Sequence, residues 1–199
     1  MTEYILAHLP DGPQQDRTRQ RLKRTLAAAE ELLLEIGPEK TSIPEIEKRS
    51  EVPRGAIYRY FPDKYVLFSI ISAGYMDLLG RALLSLEPND RWDELLTQAI
   101  RCSAEFYNSH PVASIVIFNG PFTTQDRVAH RQKAVQLMAA IKVQLPTAFS
   151  EDDLALTIEI AFACFRYGYF RDEHVSDQVT TAAIRAALGY LKAAVPDIA

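Results

Sequence analysis

The most constraining feature of this chain is a pair of short helical patterns between residues 42 and 61, separated by about four residues. The first opens with Ser42-Ile43-Pro44-Glu45 and predicts a capping box, in which the Ser42 hydroxyl accepts the backbone N–H of Glu45. The second, near 53–60, ends at Phe61-Pro62, because a residue that precedes proline is disfavoured in helical backbone. Two short helices joined by a tight turn predict a helix-turn-helix.

A longer helix precedes this pair. Apolar residues recur every three or four positions from Arg17 to Ile36, and Gly37-Pro38 ends the pattern. The three helices can enclose one small core, for which the apolar positions are Leu26, Leu33, Ile43, Ile46, Val52, Ile57 and Phe61.

The other face of the second short helix presents Arg54, Tyr58, Arg59 and Tyr60. A helix of this kind enters the DNA major groove, where arginine binds guanine and tyrosine hydroxyls reach phosphates or bases. The alternative for Tyr58 and Tyr60 is that each is an ordinary core aromatic residue.

Charge is distributed unevenly along the chain. The net charge is −4, but residues 17–64 hold eleven Lys/Arg against eight Asp/Glu, whereas residues 65–199 hold eleven against fifteen. Five bases fall within residues 17–24, among them Arg17 and Arg19. A local basic patch favours DNA binding, and its alternative is a solvated helix face.

Asp63 is a good N-cap for a helix from Lys64 to about Leu86. A lysine in a first turn opposes the helix dipole, and a bound phosphate would reverse that effect. The sequence therefore predicts a phosphate held by Lys64 and backbone N–H groups; the alternative is a solvated lysine.

The whole chain is predicted to be all-α. Residues 1–16 are interpreted as a flexible arm, 17–63 as the DNA-binding domain and 64–199 as a larger helical domain. Later helices are expected at 90–108, 111–119, 124–145, 151–171 and 177–194. The β-branched run 114–118 is interpreted as a short buried helix rather than a strand.

The helix at 151–171 is apolar almost all round, and the last helix is rich in alanine. We expect these two helices to form a homodimer interface and one side of a cavity for an apolar or aromatic ligand, although simple core packing is an alternative. Arg166 is a candidate ligand anchor, an ion-pair partner across the dimer, or a side chain extended to solvent. The expected lining residues are Trp92, Phe106, Tyr107, Phe118, Phe122, Met138, Phe162, Phe165 and Tyr169.

The segment from Thr41 to Lys64, continuing to Leu67-Phe68, resembles the tetracycline-repressor (TetR) family of regulators. The resemblance rests on these positions at fixed spacing: Thr41, Ile43, Ile46, Val52, Gly55, Ile57, Tyr58, Tyr60, Phe61, Lys64 and Leu67. It implies a three-helix DNA-binding domain and a larger helical domain for ligand binding and dimerisation. It also implies that Arg54, Tyr58, Arg59 and Tyr60 contact a palindromic operator, that Thr41 and Lys64 touch phosphates, and that a small molecule relieves repression.

Three positions depart from the family pattern. Glu47 stands where a small residue is usual, Glu51 where glycine occupies the turn, and Pro53 near a usual Ser or Thr. A turn that needs positive φ strains Glu51, and Pro53 has no hydroxyl to cap the recognition helix. These departures are expected to weaken DNA binding.

Other classes of function find little support in the sequence. The four histidines are scattered and no HExxH, GxSxG or P-loop motif occurs, so neither an enzyme, a metal site nor a cofactor is expected. Two isolated cysteines, the absence of a signal-like start and the lack of a long apolar run favour a cytoplasmic protein outside the membrane. A helical interaction module that does not bind DNA is the remaining alternative.

Overall fold

The computed structural model describes Ile5 and residues 16–120 and 148–194. These ranges contain eight helices and no strand, which confirms the all-α prediction. The helices are α1 (Asp16–Lys40), α2 (Ile43–Ser50), α3 (Arg54–Tyr58), α4 (Lys64–Leu84), α5 (Trp92–Ser109), α6 (Pro111–Phe118), α7 (Glu151–Asp172) and α8 (Asp177–Ala194). The helix expected at 124–145 lies outside the described residues.

The chain divides into two compact units, one of residues 1–78 and 111–127 and one of residues 79–110 and 128–199. The boundary falls within α4, and α6 belongs to the first unit, where it packs on α1. The functional division after residue 63 stays a prediction.

The break predicted at the end of the first helix is present inside α1. Gly37 has φ 75° and ψ 171°, so the helical run is two helices joined by a kink. Such a conformation is essentially restricted to glycine. The short piece from Pro38 to Lys40 then leads the chain into α2.

The first unit has the apolar core that the sequence predicts. Buried side chains from α1, α2, α3 and the turns between them include Leu26, Leu33, Ile43, Ile46, Val52, Ile57 and Phe61. Outside this core, the Arg49 guanidinium pairs with Glu31 and Glu35 of α1, with nitrogen–oxygen distances of 3.2 and 2.7 Å. Packing of apolar side chains, rather than these exposed ion pairs, therefore fixes the three helices.

Ile5 is fully buried, and its side chain and backbone lie close to Gly74. The rest of the arm lies outside the described residues, so its flexibility stays a prediction. One local expectation about the start of α2 was wrong. The Ser42 hydroxyl does not accept the Glu45 N–H; it donates to the Glu45 carboxylate at 2.7 Å. A hydrogen bond to a charged acceptor is stronger than one to a neutral group, which accounts for the choice.

The second unit is built on α5, α7 and α8. Ser150 and Asp153 form a reciprocal capping box at the start of α7, and the Tyr190 hydroxyl of α8 donates to Asp153 at 3.0 Å. Further along, a Cβ added to Gly168 would lie 2.8 Å from Val179. A residue without a side chain is therefore needed where α7 and α8 approach closely.

The helix α4 is long and apolar enough to cross a membrane, the one such helix among the described residues. Half of its most apolar stretch is buried inside the protein. This observation qualifies the expectation drawn from the sequence that no apolar run is long enough to span.

Candidate DNA interface

The recognition helix is positioned by the burial of its inner face. Ile57 is 1% exposed and Phe61 is fully buried, whereas Arg54, Tyr58 and Arg59 on the opposite side are exposed. Tyr58 is 45% exposed, so it is not a core aromatic residue in this chain. Tyr60 is half-buried, and the Arg59 guanidinium lies 5.7 Å from the centre of its ring. Three of the four predicted base-reading side chains are therefore accessible to a partner.

The turn between α2 and α3 has the left-handed conformation suspected from the sequence. Glu51 ends α2 with φ 54° and ψ 27°. The next residue, Val52, is buried and its N–H donates to the Ser50 hydroxyl at 3.2 Å. Because a non-glycine residue in this region costs about 1–2 kcal/mol, Glu51 strains the turn.

Glu47 takes over the capping role that Pro53 lacks. Its Oε1 atom accepts the backbone N–H of Arg54 at 2.9 Å, and its Oε2 atom accepts the Nε–H of the same residue at 2.8 Å. The hydrogen bond from the backbone N–H, followed by that from the guanidinium, lowers the pKa of Glu47. The carboxylate therefore stays ionised and ties α2 to the first residue of α3.

A hollow of about 220 Å³ lies beside the recognition helix and is bounded by α1 on its other side. Arg21 and Arg59 line it from the two helices, together with Thr18 and Tyr60. Arg17 and Arg19, which the sequence placed in the DNA site, are exposed at the start of α1. The fold thus adds Arg21, which sequence reasoning noted only as part of the basic stretch, to the surroundings of α3.

Thr41 does not have the exposure that a phosphate contact requires. It is fully buried, and its hydroxyl donates to the carbonyl oxygen of Gly37 at 2.8 Å. In this conformation the Thr41 hydroxyl closes the turn between α1 and α2, and its contact with a phosphate stays a prediction.

The hydrogen-bond partners of Lys64 are protein carbonyl groups. Its Nζ atom donates to the carbonyl oxygens of Pro38 and Glu39, at 3.0 and 2.8 Å. At the start of α4 the Asp63 carboxylate accepts the N–H groups of Tyr65 and Val66, at 2.7 and 2.9 Å. The anion at this helix end is therefore Asp63, as the predicted N-cap, and those two N–H groups are not open to a phosphate. The Lys64 ammonium group has a third N–H, which can still be donated to a phosphate.

Comparison with known proteins agrees with this geometry. The profile of a family described as "Bacterial regulatory proteins, tetR family" matches residues 26–70, which span the end of α1, both short helices and the start of α4. The helix-turn-helix region of this chain is thus similar to that of the TetR family. No curated protein sequence matches it significantly.

Several solved structures share the fold over most of the chain. A TetR-family regulator from Streptomyces coelicolor is 17% identical, with a TM-score of 0.69 over 88% of this chain and 99% of its own. A TetR variant from Acinetobacter baumannii AYE in complex with minocycline is 15% identical, with a TM-score of 0.60 over 85% and 95%. A SmeT–triclosan complex is 16% identical, with a TM-score of 0.62 over 87% and 90%. These similarities show that the chain has the fold of these proteins over most of its length.

The residues predicted to line a ligand cavity occupy several environments in the structure. Phe106, Tyr107 and Phe165 are buried in the second unit, and the rings of Tyr107 and Phe165 lie 6.1 Å apart, edge to face. Trp92, Phe162 and Tyr169 are half-buried, and the Trp92 ring packs at 5.1 Å on Phe149. Phe118 is fully buried in the first unit, whereas Phe122 and Met138 lie outside the described residues.

In the single chain the Arg166 side chain reaches solvent, and its roles as a ligand anchor or as an ion-pair partner across a dimer stay predictions. The residue is exposed, and its guanidinium lies 5.3 Å from the centre of the Phe170 ring on the same helix. It is therefore extended along the surface of α7.

Proposed function

We propose that the chain is a homodimeric repressor that binds a palindromic operator in the cytoplasm and is released by a small apolar or aromatic molecule. The observation that carries the DNA-binding part is the division of α3 into a buried face at Ile57 and an exposed face at Arg54, Tyr58 and Arg59. Side chains with guanidinium and phenol groups bind bases and phosphates alike.

Basic residues of α1 extend this surface beyond the recognition helix. Arg17 and Arg19 are exposed, and Arg21 faces the hollow that Arg59 also lines. Basic side chains near a recognition helix favour contacts to the phosphates that flank the bases being read. Arg54 and Tyr58 would then supply sequence readout, and the α1 arginines would supply affinity that depends on salt.

The proposed dimer interface uses the exposed sides of α7 and α8. Leu156, Tyr167 and Phe170 of α7 are 46%, 64% and 54% exposed. An open hollow of about 400 Å³ lies beside them, lined by Ala163, Cys164, Tyr167, Arg171, Gln178, Val179 and Ala182. Large apolar side chains next to small ones on two adjacent helices suit close packing against a second copy. A dimer also supplies two recognition helices for half-sites about 34–36 Å apart.

The oligomeric state tests this interface directly. Tyr167→Glu places a charge on the exposed face of α7 and is expected to shift the protein from dimer to monomer in sedimentation. Leu34→Glu is a matched control, since Leu34 is 54% exposed but lies on α1 of the first unit. A wild-type monomer, or a dimer that tolerates Tyr167→Glu, would reject the interface.

Two observations support an apolar or aromatic effector. The second unit holds the aromatic contacts of Phe106, Tyr107 and Phe165, and the two similarly folded proteins above were solved with minocycline and triclosan. Trp92 is the single tryptophan and packs on Phe149, so its fluorescence reports on this unit. Titration with a panel of aromatic compounds is expected to change the Trp92 emission and raise the thermal midpoint for at least one of them. A panel that changes neither would count against an aromatic effector.

The proposed release mechanism uses α4, which supplies residues to both units. Lys64 fixes its first turn to the carbonyl oxygens of Pro38 and Glu39, at the kink before α2. A ligand that prefers another position of α4 would move the recognition helix through this link. DNA affinity would fall by the ligand's differential affinity for the two states.

Selection of bound fragments from a genomic DNA library, at low and at moderate salt, tests the DNA-binding function. We expect recovery of a palindromic site, with affinity that falls steeply as salt rises. Absence of enrichment at every salt concentration would contradict the proposal and favour an interaction module.

A further inference from the structure

Glu47 and Arg54 form a two-point contact across the turn of the helix-turn-helix. One carboxylate oxygen holds the backbone N–H of Arg54 at 2.9 Å, and the other holds its Nε–H at 2.8 Å. Both the start of the side chain and the base of its guanidinium are therefore fixed to α2. The side chain of Arg54 nevertheless remains 51% exposed.

The atoms that this contact leaves available are the ones that read guanine. A guanidinium has five N–H donors, of which the Nε–H is taken by Glu47. Within the part of the chain that the structure describes, the two terminal nitrogens of Arg54 make no hydrogen bond to protein. Those nitrogens form the end-on fork that matches the O6 and N7 acceptors of guanine in the major groove.

The carboxylate of Glu47 lowers the affinity for DNA, and this loss is explained if Glu47 fixes Arg54 for reading a base. Its pKa is lowered by its hydrogen bonds to Arg54, so a full negative charge stands at the surface that approaches the phosphates. An arginine without this anchor rotates freely and also binds phosphates, which adds affinity without sequence information. The carboxylate thus lowers affinity for all DNA while restricting the directions in which Arg54 can point.

This inference rests on the proposed function. We propose that Glu47 is a specificity-determining positioning residue that orients Arg54 toward one guanine in each half-site. The same contact also caps α3. A cap alone would stabilise the domain but would not change which base is preferred at one position, so base preference separates the two roles.

The test is selection from a randomised duplex DNA library, followed by sequencing of bound molecules for the wild type and four variants. Arg54→Ala identifies the base position that depends on Arg54. Glu47→Gln removes the charge and one of the two acceptors. Glu47→Asp keeps the charge but places the carboxylate one methylene too far away to hold both donors. Glu51→Gln is the matched control, since Glu51 is an exposed acid in the same turn that makes no hydrogen bond or ion pair with Arg54 in the structure.

The wild type is expected to prefer guanine at the position found with Arg54→Ala. Glu47→Gln and Glu47→Asp should lower that preference by about 5- to 10-fold, within the range that a bidentate arginine contact supplies. Preferences at the other positions should be unchanged, and Glu51→Gln should bind all sequences more tightly without altering the profile.

Three results would overturn the inference. The first is that Glu47→Asp and Glu47→Gln keep the wild-type preference for guanine. The second is that Arg54→Ala changes no position of a profile that the wild type enriches. In both cases the DNA-binding function stands and only the role of Glu47 fails. The third is that the wild type enriches no sequence, in which case the proposed function fails as well. If Glu47→Gln does not fold, the base preference of Glu47→Asp alone decides whether Glu47 orients Arg54.

Discussion

Replacement of Gly37 by alanine tests the view that backbone conformation sets the kink before α2. Gly37 has φ 75° and ψ 171°, and a Cβ added there would meet no atom within 4 Å. Steric overlap with neighbours therefore contributes nothing, and the effect is confined to the backbone. Placing a residue with a Cβ in this region costs about 1–3 kcal/mol. Alanine offsets about 0.4–1 kcal/mol of this cost in the free energy of unfolding, because it restricts the unfolded chain more than glycine does.

The expected net effect of Gly37→Ala is a loss of about 1–2 kcal/mol in the free energy of unfolding. For a protein of this size the thermal midpoint should fall by about 2–8 °C, measured by circular dichroism. Gly55→Ala is the matched control, since its added Cβ would also meet nothing within 4 Å but Gly55 lies in α3 and has no positive φ. Its stability should equal that of the wild type or exceed it by up to about 1 kcal/mol. The reasoning is refuted if Gly37→Ala is as stable as the wild type, or if both glycines show the same loss.

Three further variants test separate parts of the structure. Gly168→Ala brings a Cβ to 2.8 Å from Val179 and should destabilise the second unit by about 1–3 kcal/mol; urea denaturation checks this, and Val179→Ala in the same chain should restore part of the loss. Glu51→Gly relieves the positive φ of 54° and should raise the free energy of unfolding by about 0.5–1 kcal/mol; an unchanged urea midpoint would show that the turn is unstrained. Tyr75→Phe removes the hydroxyl that donates to Glu30 at 2.7 Å. Burial raises the pKa of Glu30 and this hydrogen bond opposes the rise, so the folded protein binds a proton more readily than the unfolded chain. Stability should therefore fall as pH rises from about 4.5 through the raised pKa, more steeply in Tyr75→Phe; identical pH profiles of unfolding in the two proteins would contradict this.

Apolar spacing predicted the first unit well because its core is made by local helical stripes. Leu26, Ile46, Ile57 and Phe61 are each at most 1% exposed, as the three- and four-residue periodicity required. The Gly37-Pro38 break and the Asp63 cap were also predicted, since each depends on the backbone preference or short reach of one residue. Where several hydrogen-bond partners compete, as for the Ser42 hydroxyl, the sequence pattern named the wrong one.

Contacts between residues that lie far apart in the chain could not be predicted from the sequence pattern. Lys64 binds carbonyl oxygens 25 and 26 residues earlier in the chain. Glu47 looked only like an acid that weakens DNA binding, because its pairing with Arg54 requires the turn geometry that brings α2 and α3 together. The accessibility of Arg54, Tyr58 and Arg59 was predictable from the buried position of Ile57 between them.

The most direct test of the central claim is the affinity of wild type, Arg59→Ala and Arg91→Ala for the selected DNA site across a salt series. Arg59 and Arg91 are both exposed arginines, but Arg91 belongs to the second unit, where it pairs with Asp93 at 2.9 Å. If the exposed face of α3 binds DNA, Arg59→Ala should lose about 1–3 kcal/mol of binding free energy for a base contact, or reduce the salt slope by about 1 for a phosphate contact, while Arg91→Ala matches the wild type. Equal affinities and slopes for all three proteins would contradict the assignment of this face as the DNA interface.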